Sequence, residues 1–180
     1  CDSITMQDIM NRSGMSKGAI FHYVKSKNEI FVWVLQERLE ETNDRFMEEV
    51  ERRPSFEDPM RRIQESIVAY ENPDDVTNKV LLYLLGKEED PAVAEALKQY
   101  YDRSADLSRL WIETGQRHGV IPDGVDAEKT GDLFTLLTIG LRIRSSIPQA
   151  RAAFKARDLG GFIGDILNPG REREKKGWDQ

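Results

Sequence analysis

Cysteine is almost absent. Of 180 residues only position 1 is Cys, which excludes an intrachain disulfide and any Cys-rich metal or redox framework, and suits a reducing cytoplasm. Histidine is nearly as scarce. His22 and His118 lie far apart with no cysteine or carboxylate pattern around them, so the zinc spacings are missing and no metal site is expected. No Gly-x-Ser-x-Gly elbow, phosphate loop or dinucleotide fingerprint occurs. Gly160-Gly161-Phe162-Ile163-Gly164 is glycine-rich but follows no strand pattern, and reads as a loop or a close helix contact. With no catalytic residue and no cofactor to assign, the chain is read as something other than an enzyme. Long apolar runs are lacking too. The uncharged stretch Leu133 to Leu141, between Asp132 and Arg142, falls well short of the roughly 20 residues a membrane span needs, so no membrane partner is expected. Nor does the start carry a basic-then-apolar signal pattern, and with Cys rather than Met at position 1 the chain is read as beginning inside a longer product.

Positive charge is in deficit: 26 Lys and Arg stand against 32 Asp and Glu, a net charge of -6. A protein coated in basic charge for non-specific binding is therefore excluded, and any anion-binding surface must be local. What is abundant is helix-forming sequence. The chain is rich in Glu, Lys, Arg, Leu, Met and Ala, has no alternating run bounded by hairpin turns, and is expected to be all-α. Breakers near Gly14, Arg53 to Pro59, Asn72 to Asp75, Glu89 to Pro91, Gly119 to Gly124, Pro148 and Asn168 to Gly170 divide it into about eight helices, two of them short and near the start. The polar stretch 171–180 reads as a solvated tail.

The first 30 residues carry three helix starts in succession. Thr5 and Asp8 have capping-box spacing, with Ile4 and Ile9 at staple positions, and Gly14 is placed to end that helix. Ser16 is a good N-cap for a second helix whose buried row is Ile20 and Val24, which turns Lys17, Gly18, Ala19, Phe21 and His22 outward or sideways. Ser26 and Glu29 repeat the capping-box spacing at the head of a long helix running from Lys27 toward Val50. Two short capped helices joined by a glycine turn are the layout of a helix-turn-helix, whose second helix enters the major groove. Charge agrees: residues 12–27 hold Arg12, Lys17, Lys25 and Lys27 and no acid. Lys17 is a candidate for base edges, His22 for a base or a phosphate, and Tyr23, Lys25, Lys27 and the N-terminus of the helix starting at Thr5 for phosphates. The layout alone leaves a helix pair that docks a partner protein as an alternative, and a small helical enzyme as a more distant one.

The run from Ile4-Thr5-Met6-Gln7-Asp8-Ile9 through Gly14-Met15-Ser16-Lys17-Gly18-Ala19-Ile20-Phe21-His22-Tyr23-Val24-Lys25-Ser26-Lys27-Asn28-Glu29-Ile30 resembles the DNA-binding signature of the TetR family of bacterial transcriptional regulators. The resemblance implies phosphate contacts at Thr5, Tyr23 and Lys27 and a recognition helix carrying Ser16, Lys17, Gly18, Ala19, Phe21 and His22. Phe21 departs from the tyrosine common there, and the first of the family's usual three helices is missing ahead of the motif. It further implies a DNA-binding domain over 1–38 and a helical ligand-binding and dimerisation domain over 39–170. The partners are then double-stranded operator DNA, a small-molecule effector and a second copy of the chain, and the function that of a ligand-released repressor in the cytoplasm. The resemblance implies a small-molecule cavity among the aromatics on the expected helices, Trp33, Tyr70, Tyr83, Tyr100, Trp111 and Phe134, with Tyr70, Tyr83, Trp111 and Phe134 as its chosen walls and ordinary core filling as the alternative for each. Arg142 interrupts an apolar stretch and needs a partner, which is either an acidic ligand or an Asp or Glu of the fold. Leu133, Leu137, Leu141, Phe162, Ile163, Ile166 and Leu167 are where the resemblance places a dimer interface, an ordinary core helix being the alternative for that stretch.

Overall fold

The computed structural model describes residues 1–52 and 65–167. The breaker runs expected at 53–59 and 168–170 and the polar tail 171–180 lie outside those residues. The described chain is helical throughout, with no strand among the described residues. In order the helices are α1 (Met6–Ser13), α2 (Lys17–Tyr23), α3 (Lys27–Arg52), α4 (65–69 in its described part), α5 (Val76–Leu85), α6 (Pro91–Arg117), α7 (Ala127–Ser145) and α8 (Ala156–Leu167).

Local chemistry fixes most helix ends. Asp75 accepts N–H bonds from Thr77 and Asn78 at the head of α5, Asp90 caps α6 with Pro91 in its first turn, and Asp126 caps α7. At the far end of α6 the ring Nδ1 of His118 lies 2.8 Å from the Thr114 carbonyl, and Gly119 takes φ 70° to turn the chain. The run 160–164, read as a loop or a close contact, is helical and lies within α8. Its glycines do not break the helix because Leu159, Ile163 and Leu167 anchor one face of it in the core.

Two hydrophobic clusters hold these helices together. One joins the first half of α3 (Phe31, Val32, Leu35, Leu39) to α5 and α6; the other joins Phe46 and Ile67 to Ile112, Leu141 and the buried face of α8. Helix α3 therefore runs unbroken from the two short amino-terminal helices, through the expected boundary at residue 38, into both clusters. Helices α6 and α7 approach closely at Gly131, where a Cβ would stand 2.8 Å from the Arg109 backbone nitrogen. Only glycine admits that backbone contact.

Candidate functional site

The amino-terminal helices are built on caps. At α1 the Thr5 hydroxyl accepts the Asp8 N–H and donates to the Asp8 carboxylate, which also accepts the Thr5 N–H at 2.8 Å. The hydroxyl and backbone N–H of Thr5 together hold the Asp8 carboxyl below its usual range. Gly14 closes α1 in the left-handed conformation at φ 69°, and Ser16 accepts the Ala19 N–H to open α2. Burial of Ile20 and Val24 then seats α2, and its other side is left open.

That open side brings most of the expected contact residues together. Lys17, Gly18, Phe21, His22 and Tyr23 are exposed, as is Lys25 beyond the helix, while Ala19 is half-buried. Phe21 is 41% exposed and Tyr23 65%, an unusual cost for aromatics with nothing to cover them. Apart from its chain neighbours and its own helical backbone, no described atom stands within 4 Å of the Cβ position at Gly18, which leaves the backbone open to an approaching surface. The Lys17 ammonium lies 5.9 Å from the centre of the Phe21 ring, and His22 and Tyr23 meet edge to face at 5.0 Å. Arg12, at the last turn of α1, adds to the same positive end of the molecule.

Two details differ from expectation. Ser26 accepts the Glu29 N–H, but the Glu29 carboxylate reaches back to the N–H of Lys25 rather than of Ser26, so the pair is shifted by one residue from a reciprocal box. Lys27 does not point outward. Its ammonium donates to the carbonyls of Cys1, Asp2 and Ile4 at 3.3, 3.2 and 2.9 Å and lies 5.3 Å from the Tyr83 ring centre. An ammonium has three N–H groups, all of them engaged here, so the phosphate contact implied at Lys27 does not fit this geometry.

The second feature is a cavity in the larger helical part. Tyr70, Tyr100, Trp111, Phe134 and Arg142 line it. Trp33 and Tyr83 do not. Trp33 is half exposed on α3, and Tyr83 points from α5 to α3, where its hydroxyl donates to Asn28 at 3.1 Å and its ring meets Phe31 edge-on. Burial pushes the Tyr70 phenol up to about 12, so it stays protonated. Arg142 is buried, and its donors reach Asn78 Oδ1, the Tyr100 hydroxyl and the Thr77 carbonyl, so its partners are neutral groups rather than an Asp or Glu.

The residues expected to face a second chain divide in two. Leu133 and Phe162 are exposed and Leu137 and Ile166 half-buried, whereas Leu141, Ile163 and Leu167 are buried in the chain's own core. These last three have no surface to offer another copy. A row taken at every fourth residue rotates by about 40° per step around the helix and so drifts from solvent into the core by Leu141. The outward row of α7 is instead Leu133, Leu136, Gly140 and Ile143, with Ile147 exposed just beyond the helix end.

Sequence reasoning passed over Asn78, fully buried, whose Nδ2 donates to the carbonyls of Tyr70 and Asn72 while its oxygen holds Arg142. The signal was present: an Asn in one apolar helix and an Arg in another have each other as natural partners. The cavity hydroxyls of Ser104, Ser108 and Thr138 gave no such signal. Among the described residues no group of three or more His, Cys, Asp or Glu is placed to hold a metal, and no helix is long and apolar enough to cross a membrane.

Comparison with known proteins bears on the amino-terminal part. Residues 1–33, which span α1, α2 and the start of α3, match the family model described as bacterial regulatory proteins, tetR family. Neither a curated protein nor a solved structure matches the chain.

Proposed function

Starting from the chain's membership of the tetR family of bacterial regulatory proteins, which makes it a DNA-binding transcriptional regulator, we propose that it is a homodimeric repressor released from a two-fold operator by a small molecule. The observation that carries this reading is the uncovered side of α2. Lys17, Gly18, Phe21 and His22 lie exposed together in a stretch with four basic residues and no acid, on a chain whose remainder from residue 39 holds 21 basic and 28 acidic residues. Base edges would be met by Lys17 and His22, a thymine methyl by Phe21, and phosphates by Tyr23 and Lys25. With residues 1–38 as the reading domain, one such head is too small for useful specificity. Two heads on successive major grooves supply enough contacts.

The second copy would seat on the outward row of α7, from Leu133 to Ile143, with Phe162 of α8. The effector would occupy the cavity of the domain spanning 39–170, and the protein would act in the cytoplasm. Coupling between cavity and reading head runs along α3. That helix is tied to α5 by Tyr83 to Asn28, and to α6 by Trp111 Nε1 to Asn43 at 3.1 Å and by a two-pronged Arg103–Glu40 pair. Because Trp111 is also a cavity wall, a ligand pressing on it acts on the helix that begins beside α2. A ligand that favours the conformation with misplaced heads weakens DNA binding by the same coupling free energy.

The test is selection of random duplex DNA by the full-length protein, followed by footprinting. The expected result is a two-fold symmetric site with half-sites about one helical turn apart. A folded dimer that enriches no sequence would overturn the reading and favour a protein-docking role for the amino-terminal helices.

A further inference from the structure

The cavity wall has an uneven chemistry. Among the described residues that line it Arg142 alone carries a charge, and it is 2% exposed. Its guanidinium is held by a side-chain amide, a phenol and a backbone carbonyl, all neutral, with the Tyr70 ring 4.9 Å and the Tyr100 ring 5.9 Å from its central carbon. A buried cation without a counter-ion is unfavourable, and neutral acceptors offset that only in part. The acid that feels its field, Asp75, is otherwise employed. Burial raises the Asp75 carboxyl, but bonds from the Thr77 hydroxyl and the N–H groups of Asn78 and Thr77, with Arg142's charge, bring it below its usual range. Those bonds hold it at the head of α5.

The other polar groups divide by what they have left to give. Ser104, Ser108, Thr135 and Thr138 donate back to carbonyls of their own helices, at 2.8, 2.9, 3.1 and 2.9 Å. Their protons are used. The Tyr100 oxygen accepts from Arg142, which leaves its hydroxyl proton to donate, and the buried Tyr70 phenol keeps its proton as well. Thr42 likewise donates to the Arg38 carbonyl, and the cation Arg142 and the phenols of Tyr70 and Tyr100 are the donors the cavity turns to a ligand, with aromatic walls from Tyr70, Trp111 and Phe134. Its volume of about 70 Å³ is several times the roughly 10–15 Å³ a single water needs, which suits a molecule of one ring rather than a long chain or a multi-ring compound.

Building on the reading of this cavity as the effector site, we propose that it takes a small aromatic carboxylate. The carboxylate lies on Arg142 and the Tyr100 hydroxyl, and the ring against Tyr70, Trp111 and Phe134. The ligand's charge supplies the counter-ion that no described residue provides. It also meets the group whose other donors hold Asn78 and Thr77 on α5, the helix that Tyr83 bolts to α3.

The test is isothermal titration calorimetry of the full chain with benzoate and phenylacetate, each against its neutral amide, benzamide and phenylacetamide. The acids are expected to bind on the order of tenfold tighter than the amides, the worth of one charged hydrogen-bonded contact. Arg142→Gln should remove that preference, lowering the affinity for the acids by a much larger factor than that for the amides, and Tyr100→Phe should reduce it by a smaller factor. Should Arg142→Gln fail to fold, as judged by circular dichroism, the acid-to-amide ratio on the unsubstituted chain decides alone. Equal binding of acid and amide, an undiminished preference in a folded Arg142→Gln, or no binding by any of the four overturns the proposal. The regulator reading is scored separately, by whether the same protein selects an operator.

Discussion

The reading head and the cavity domain are built on opposite plans. Helix α1 has no buried residue and α2 has one, Ile20, so the head's shape depends on caps: Thr5 with Asp8, Gly14, and Ser16 with Ala19. The cavity domain rests on contacts between distant segments, such as Phe46 against Trp111 and Arg142 against Asn78, 64 residues away in sequence. Shallow burial leaves the head's side chains free for another surface. Deep burial lets the cavity domain hold a charge away from water.

If that contrast is right, substitutions should separate by kind as well as by size. The largest effect is expected for Phe46→Ala, which empties a fully buried site between α3 and α6 and should cost about 3–5 kcal/mol of stability in denaturant unfolding. Next comes Gly131→Ala. The added carbon meets the backbone of α6 at 2.8 Å, which a rotamer change cannot relieve, and overpacking of this kind costs about 1–3 kcal/mol. Gly14→Ala forces a side chain into the left-handed conformation and should cost about 1–2 kcal/mol. That loss should appear in hydrogen exchange of the α1 amides before it appears in global melting. An equal slowing or quickening of exchange in both regions would erase the distinction.

The smallest effect tests the α3–α6 tie. The hydrogen bonds from Arg103 hold the Glu40 carboxyl below its ordinary range against the opposing push of burial. A carboxyl with a depressed folded pKa contributes stability that is present above its unfolded pKa and lost as pH falls through the folded value. Arg103→Gln should therefore lower the melting temperature slightly near pH 7, and the difference should shrink in the acid range below the normal carboxylate pKa. Both side chains are nearly half exposed, so solvent keeps the effect small.

The same contrast explains what could be read without coordinates. Caps act over three residues, so Thr5, Gly14 and Ser16 were visible directly, and Pro91 and the Asn72–Asp75 turn marked helix starts for the same reason. The cavity was legible only in part. Arg142 announced itself by interrupting an apolar run, and Tyr70, Trp111 and Phe134 proved to share its cavity. Nothing local says that Tyr83, on the same helix as Asn78, turns instead toward α3 and covers Lys27. Likewise the choice between Leu141 and Gly140 as outward residues of α7 depends on how that helix is rotated against α6, which the contact at Gly131 decides.

Lys25 and Lys27 make the comparison sharpest, because two lysines two residues apart have opposite surroundings, one exposed and one enclosed by three carbonyls. The direct measurement is the dependence of DNA affinity on salt, for the selected operator, in the unsubstituted protein and in Lys17→Ala, Lys25→Ala and Lys27→Ala. Binding through the exposed side of α2 predicts a steep fall with salt, with the slope reduced by about one for Lys17→Ala and for Lys25→Ala, base preference relaxed only in the former, and the slope unchanged in Lys27→Ala. A salt-independent affinity, or a slope that Lys17→Ala and Lys25→Ala both leave untouched, would contradict the account.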